Sequence, residues 1–511
     1  MRWSLAMLML LTARISVAAE FVALTYHDIV PQRAGDAYSV TDAEFGRHMA
    51  FLKSEGYVPV SLTQLERVRR GEARLPERAV LLTFDDGLRS FAERALPVLE
   101  RYGFPAVLSV VTSWADGRDV PREYHGKVME WEELRRVARS PLVEVISHSD
   151  DLHHGLRVNS YGNEAPAGVA RRFDPATRSF ESEEQFRARI QDDLTRTQQK
   201  FAAKLGYRAK AIAWPFGEYD AVLQDEATRQ GMAYQLSLDA RPARTEELPR
   251  VRRAIASDYR SLDAFASVVS LRRYREARVR FVGVDLAPFA GRTAAEQDRL
   301  LSQMLRRLEL VRANGVIVEA FSADGARAYF ANDTVPVAAD VLGRVLYAIR
   351  ARTNAKQYLC VRVPRLHVTA DDRRALFNAL WRNRPVGGVI FDVVDIGADA
   401  HLMDDLRYYH PDVLVGAVGM NRRPGEFRVV TVADNAAGVE NVGASHRATD
   451  WFLVRLKPDT TEKALRAQLR ALREAGVRNF GYGSDDYAAG RPDVIVIVDE
   501  FSARSGAGEA R

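Results

Sequence analysis

With 511 residues, 47% of them apolar and 28% charged, and no long low-complexity block, the chain has the composition of a folded protein and is too long for one ordinary core. Its formal charge is +5, and loss of Arg2 and Arg14 with the N-terminal segment described below leaves +3, too little to argue for a nucleic-acid partner. The single cysteine, Cys360, excludes an internal disulfide and lies in an apolar strand-like run, where a packed small side chain is expected rather than a nucleophile.

Residues 1–19 have the layout of a secretory signal peptide. Arg2 gives the positive start, Trp3 to Leu11 the apolar centre, and Ser16-Val17-Ala18-Ala19 the small residues for cleavage near Glu20. The apolar run is short for an uncleaved membrane anchor. No later segment looks transmembrane, and the absence of a cysteine there argues against a lipid anchor, so a periplasmic or secreted protein is expected. Beyond it, strand-like and helix-like segments alternate: Phe21–Tyr26, Asp42–Glu55, Ala79–Phe84, Phe91–Arg101, Ala106–Val111, Trp131–Arg139, Val143–Ser147, Glu184–Leu205 and Ala211–Trp214. Such alternation predicts parallel strands covered by helices. Gly155–Glu181 interrupts it with an irregular stretch, long for a loop in a compact domain.

A boundary is expected after Tyr259, near the charged stretch Leu271–Arg280, which divides the chain into domains over 20–272 and 278–511. The second domain offers eight candidate strands: Phe281–Leu286, Val316–Phe321, Tyr358–Val363, Gly388–Val393, Val413–Val418, Trp451–Leu456, Val477–Tyr482 and Val494–Val498. These predict a (β/α)8-like barrel. The Gly483–Asp493 connection is too short for a full helix, so a trimmed or open barrel is expected.

Four motifs carry chemistry. Leu82-Thr83-Phe84-Asp85-Asp86-Gly87 ends an apolar run with two carboxylates on a glycine turn, at the strand rim where α/β proteins bind ligands; by itself it also suits a simple Asp-Gly turn. In Ser147-His148-Ser149-Asp150-Asp151-Leu152-His153-His154-Gly155, three of the ten histidines fall within seven residues. His148 and His153 are five apart and share no helical face. A loop that turns one back toward the other would form, with a carboxylate, an Asp-His-His set suited to a borderline divalent cation; a solvated histidine-rich loop is the alternative. Ala213-Trp214-Pro215-Phe216-Gly217-Glu218-Tyr219-Asp220 runs a strand into a turn whose rings could stack on a sugar and whose free amides could face an oxyanion, or which is an ordinary tight turn. Tyr26-His27-Asp28 places a histidine at the end of the first strand, as a catalytic residue or as a core one.

Together and in this order the motifs resemble the polysaccharide deacetylases of carbohydrate esterase family four, and more narrowly the branch that deacetylates poly-β-1,6-N-acetylglucosamine. The resemblance implies an α/β chain with an N-terminal (β/α) barrel-like, NodB-like domain. It implies Asp85 as general base, His27 as general acid on a circularly permuted first strand, and Asp86, His148 and His153 as ligands of one divalent cation, with zinc, iron, cobalt and nickel all admissible. Phe216 would contribute an oxyanion-hole amide, while Pro215 and Gly217 would shape the turn. Trp214 stands where most relatives carry arginine, so the motif brings no arginine to the base. Gly162-Asn163, Pro166-Ala167 and Arg171-Arg172 resemble an insertion of the same branch.

For the second domain the resemblance implies a glycoside-hydrolase-like barrel. Val284-Asp285-Leu286, the stretch from Glu319 to Gly325, and Tyr329-Phe330-Ala331-Asn332 look like its first strands and loops. Where an Asp-Asp pair is expected after the fourth strand, the chain reads Phe391-Asp392-Val393-Val394-Asp395, so Asp285, Asp324, Asp392 and Asp395 form a possible second site for binding or trimming the polymer. The expected activity is N-deacetylation of an N-acetylglucosamine exopolysaccharide. A chitin-like or peptidoglycan substrate is an alternative, and a non-catalytic glycan-binding protein another. An exopolysaccharide export apparatus is the implied protein partner.

Overall fold

The computed structural model describes residues 19–33, 37–239, 241–392, 406–418, 427–432, 448–457 and 459–502. Residues 1–18, which make up most of the expected signal peptide 1–19, and Asp395 lie outside these residues. The chain forms two compact units, one from residues 1–149, 197–213 and 231–274, the other from 150–196, 214–230 and 275–511. No described helix is long and apolar enough to cross a membrane.

The first unit is a ring of seven parallel strands. They are β1 (Glu20–Tyr26), β2 (Ala79–Phe84), β3 (Ala106–Val110), β4 (Val143–Ser147), β5 (Ala211–Ala213), β6 (Tyr234–Leu238) and β7 (Arg250–Ile255). Each strand from β2 to β6 pairs with its sequence neighbours, β6 pairs with β7, and β1 pairs with both β7 and β2. β2 and β3 are buried at every position, as expected for strands covered on both faces. β6 and β7 close the ring but lie beyond the strands anticipated from hydrophobic pattern. Arg250-Val251-Arg252-Arg253 breaks the apolar alternation, which conceals β7 in the sequence.

The second unit contains a closed barrel of eight parallel strands: β8 (Arg280–Val284), β9 (Gly315–Glu319), β10 (Tyr358–Val363), β11 (Gly388–Asp392), β12 (Leu414–Val418), β13 (Phe427–Val432), β14 (Trp451–Arg455) and β15 (Asn479–Asp485). The barrel is complete rather than open. Its interior holds Phe281, Ile317, Cys360, Ile390, Phe427 and Trp451, with Trp451 packed on the rings of Phe281 and Phe427 at 5.2 and 4.5 Å. Alternate residues such as Val282, Val316 and Leu359 face the covering helices.

One expected strand needs correction here. Val494–Val498 is not a strand but the start of a helix, Val494–Ser502, and the strand that completes the barrel is Phe427–Val432. β-branched residues favour a strand locally, yet Ile497 and Phe501, four apart, lie buried on one helical face. Buried Glu500 is held from the neighbouring helix Glu462–Glu474 by Arg470 and Arg473, both at 3.2 Å. Cys360 is a fully buried free thiol, and burial pushes its pKa up, as suits a packing role.

Candidate active site

β2 delivers Asp85 and Asp86 to its C-terminal end, both almost fully buried. Two residues in succession adopt left-handed backbone there, Asp86 at φ 73° and Gly87 at φ 67°. A Cβ on Gly87 would also meet Val110 Cγ1 at 3.1 Å, so the tight approach of β2 to β3 calls for glycine. The left-handed turn is strained for aspartate, and such strain is characteristic of functional sites.

The two carboxylates have different neighbours. Asp85 Oδ1 accepts hydrogen bonds from Ser109 Oγ on β3 and from Arg253 Nη1 on β7, both at 2.7 Å. Arg253 is itself buried within the ring, where Nη1 also donates to Thr83 Oγ1 and Thr25 Oγ1 and Nε donates to the Ser237 carbonyl. Burial pushes the Asp85 carboxyl up, but Arg253, followed by His148 and His27, reverses this and holds it well below the ordinary carboxylate range. Asp86 instead faces His148, with Oδ1 3.5 Å from Nε2.

His148 leaves the end of β4, its amide donating to the Val110 carbonyl at 2.8 Å. Its Nδ1 lies 2.7 Å from the Ala213 carbonyl at the end of β5. That contact places a proton on Nδ1 and leaves Nε2 as the ring nitrogen that faces Asp86. Burial lowers the His148 pKa, but Asp85, Asp86 and the Ala213 carbonyl outweigh it and raise it, so this corner of the ring favours positive charge.

Asp86, His148 and His153 each present one ligand atom, and the three atoms lie within 4.8 Å of one another. Ligands on a tetrahedral ion at about 2.1 Å are about 3.4 Å apart, close to the Asp86–His148 spacing. Two imidazoles and one carboxylate fit a catalytic metal, since three protein ligands leave positions for water and substrate. The ring of Phe216 packs against His153 with centroids 4.6 Å apart, and Phe216 takes the left-handed φ of 58° that gives the Pro215–Gly217 turn its shape. Trp214 is fully buried and stacks on Tyr219, so it has a packing environment rather than an exposed, sugar-facing one. His27 is half-buried beside Tyr38, its Nδ1 has no hydrogen-bond partner, and its charge acts on Asp85.

The sequence motifs did not reveal Arg253. The third motif has Trp214 where the resemblance expects arginine, and the cation on Asp85 comes instead from β7, 168 residues from its partner. Its only sequence signal is an arginine-rich strand that closes the ring.

At the rim of the eight-stranded barrel a different cluster forms. Arg362 on β10 donates to Glu319 Oε1 at 3.0 Å and, through Nε and Nη2, to both oxygens of Asp392 at 2.7 and 2.6 Å. Burial raises the Glu319 pKa, Arg362 opposes this, and Asp392 and Asp285 add to it, so Asp285 belongs to the same electrostatic neighbourhood. Asp324 is exposed and accepts from Ser322 Oγ and the Ala326 amide, a local turn rather than part of that cluster. Among the described residues, Glu319 and Arg362 join Asp392 in this cluster and Asp324 does not.

With this geometry in hand, the polysaccharide deacetylase family model matches residues 72–235. Over these residues the chain is similar to polysaccharide deacetylases. A poly-β-1,6-N-acetyl-D-glucosamine N-deacetylase of Escherichia coli K12 is 29% identical over 354 residues, 66% of this chain and 52% of that protein. Its Staphylococcus aureus counterpart from strain N315 is 23% identical over 203 residues, 40% of this chain and 62% of that protein. The chain thus spans about half the length of the first curated relatives it matches. Among solved structures, the BpsB deacetylase domain from Bordetella bronchiseptica is 31% identical, covering 47% of this chain and 96% of that one with a TM-score of 0.41.

Proposed function

We propose that the chain is a metal-dependent N-deacetylase of an N-acetylglucosamine exopolysaccharide, of the poly-β-1,6-linked kind named for its relatives. The observation that carries this reading is the division of labour in the Asp85-Asp86 pair: Asp85 on Arg253 and Ser109, Asp86 on His148. Asp86, His148 and His153 would hold a divalent cation. Bound there, the cation supplies Lewis acidity toward an acetamide carbonyl and an attacking water.

Asp85 acts as the general base. Ser109 and Arg253 both engage Oδ1, which leaves Oδ2 to take the proton of the water, while Arg253 keeps the carboxylate ionised before that transfer. The Phe216 amide, presented by the left-handed turn, donates to the developing oxyanion. His27, protonated, gives its proton to the departing amine, so acetate and a glucosamine unit leave. Trp214, Pro215 and Gly217 support this turn.

The barrel of the second unit binds the polymer in this reading. Its rim carboxylates Glu319 and Asp392 share Arg362, an arrangement that favours holding a sugar over acid-base cleavage, for which two carboxyls flanking the bond, one of them a proton donor, are the usual requirement. Export through the leader segment and delivery of the polymer to an export apparatus complete the proposal. Acetate release by metal-loaded protein from β-1,6-linked N-acetylglucosamine oligomers tests it. Release from chitin oligomers alone would move the substrate to a β-1,4-linked glycan, and release from neither would leave a glycan-binding protein.

A further inference from the structure

The proposed metal site needs His153 turned back toward His148, and the loop between them is held in part from a neighbouring helix. Leu152 is the loop's only buried apolar side chain. Ser149 starts the reversal at φ 73°, and the next two amides then point at a single side chain. Asp150 N donates to Asp193 Oδ1 at 3.0 Å and Asp151 N donates to Asp193 Oδ2 at 2.7 Å, one amide per carboxylate oxygen. Asp193 lies on the helix Glu183–Leu205, is 1% exposed, and is flanked by the buried Ile190 and Leu194. One turn further on, Arg196 Nε donates to Asp150 Oδ2 at 2.8 Å, and Arg196 Nη2 lies 3.8 Å from Asp193 Oδ2.

We propose that Asp193 is a positioning residue for the metal site: its carboxylate sets the path of the loop so that His153 reaches the cation held by Asp86 and His148. The inference rests on the metal-site reading given above. A buried carboxylate is costly unless its oxygens are engaged, and this one engages both on backbone two and three residues upstream of a ligand. An asparagine there keeps one acceptor but turns its NH2 toward the second amide, so the bidentate hold is lost while volume is kept. Residues that orient metal ligands typically change metal affinity by 10- to 100-fold when replaced, and the lower end of that range is expected here because Asp193 acts through backbone.

Zinc affinity, measured by competition with a chromophoric chelator, tests the inference without recourse to activity. Asp193→Asn is expected to weaken zinc binding by about tenfold. Gln198→Ala serves as its comparison: Gln198 is buried on the same helix and bonds both the amide and carbonyl of Ala209, away from the histidine loop, so its loss costs stability without touching the site. Affinity lowered in Asp193→Asn but within twofold of wild type in Gln198→Ala supports positioning. Equal changes in both variants, or none in Asp193→Asn, overturn it. If Asp193→Asn does not fold, Arg196→Met takes its place with a severalfold weakening expected, and unchanged affinity there overturns the inference equally. Failure of the wild-type protein to bind any divalent cation sinks the metal-site reading itself, an outcome distinct from either.

Discussion

Each unit places an arginine among carboxylates at the end of a parallel strand ring, and the two clusters are wired differently. Of the two carboxylates, Arg253 pairs with Asp85, while the adjacent Asp86 looks toward His148. Arg362 bridges Glu319 and Asp392 together. One guanidinium on one carboxylate leaves a second negative charge, which together with two histidines favours a cation. One guanidinium on two carboxylates comes closer to satisfying the cluster internally. Acidic residues at a barrel rim are therefore poor indicators of chemistry until their cationic partner is counted.

The largest expected effect separates the clusters by function. Asp85→Asn should lower acetate release by about 10³-fold, roughly 4 kcal/mol of barrier, while Asp392→Asn should leave it within twofold. Steady-state rates on a defined oligomer check both, and a comparable loss in the two variants would break the contrast. Next comes Arg253→Met, which leaves Asp85 buried without its cation and should destabilise the metal-free protein by about 3 kcal/mol in urea unfolding. Combining it with Asp85→Asn should recover most of that loss. Arg362→Met is expected to cost less, about 2 kcal/mol, because its cluster is partly open to solvent.

The smallest effect is in pH dependence. Folding raises the Glu319 pKa, chiefly by burial, with Asp392 and Asp285 adding and Arg362 opposing. The folded state then holds this proton more tightly than the unfolded chain, whose value is the ordinary 4.5. Its contribution to stability is full below that value and is lost as pH rises through the raised folded value. Melting temperature followed upward from pH 4 should therefore fall less in Glu319→Gln than in wild type. Identical slopes would show that Arg362 neutralises Glu319 completely.

The two clusters were unequally legible. Asp85-Asp86-Gly87 stands out in the sequence because an apolar run, a carboxylate pair and a glycine are contiguous, and each constrains the next within a few residues. His148 and His153 were legible for the same reason. Val494–Val498 shows where local reading fails: its β-branched residues favour a strand, but packing of Ile497 and Phe501 decides for a helix. Phe427–Val432 is the strand the local pattern does not predict, and its Phe427 and Val429 fill the barrel interior.

By itself the sequence determined the alternation of strands and helices, the carboxylate pair and the histidine loop, since all of these follow from patterns spanning a handful of residues. Only the tertiary structure decided which cation meets which carboxylate. Arg253 reaches Asp85 across 168 residues and Arg362 reaches Asp392 across 30, on strands whose pairing comes from ring closure. Asp193 meets the histidine loop from a helix 42 and 43 residues away. Long-range electrostatic partners leave no periodicity in the chain, and burial alone makes them strong.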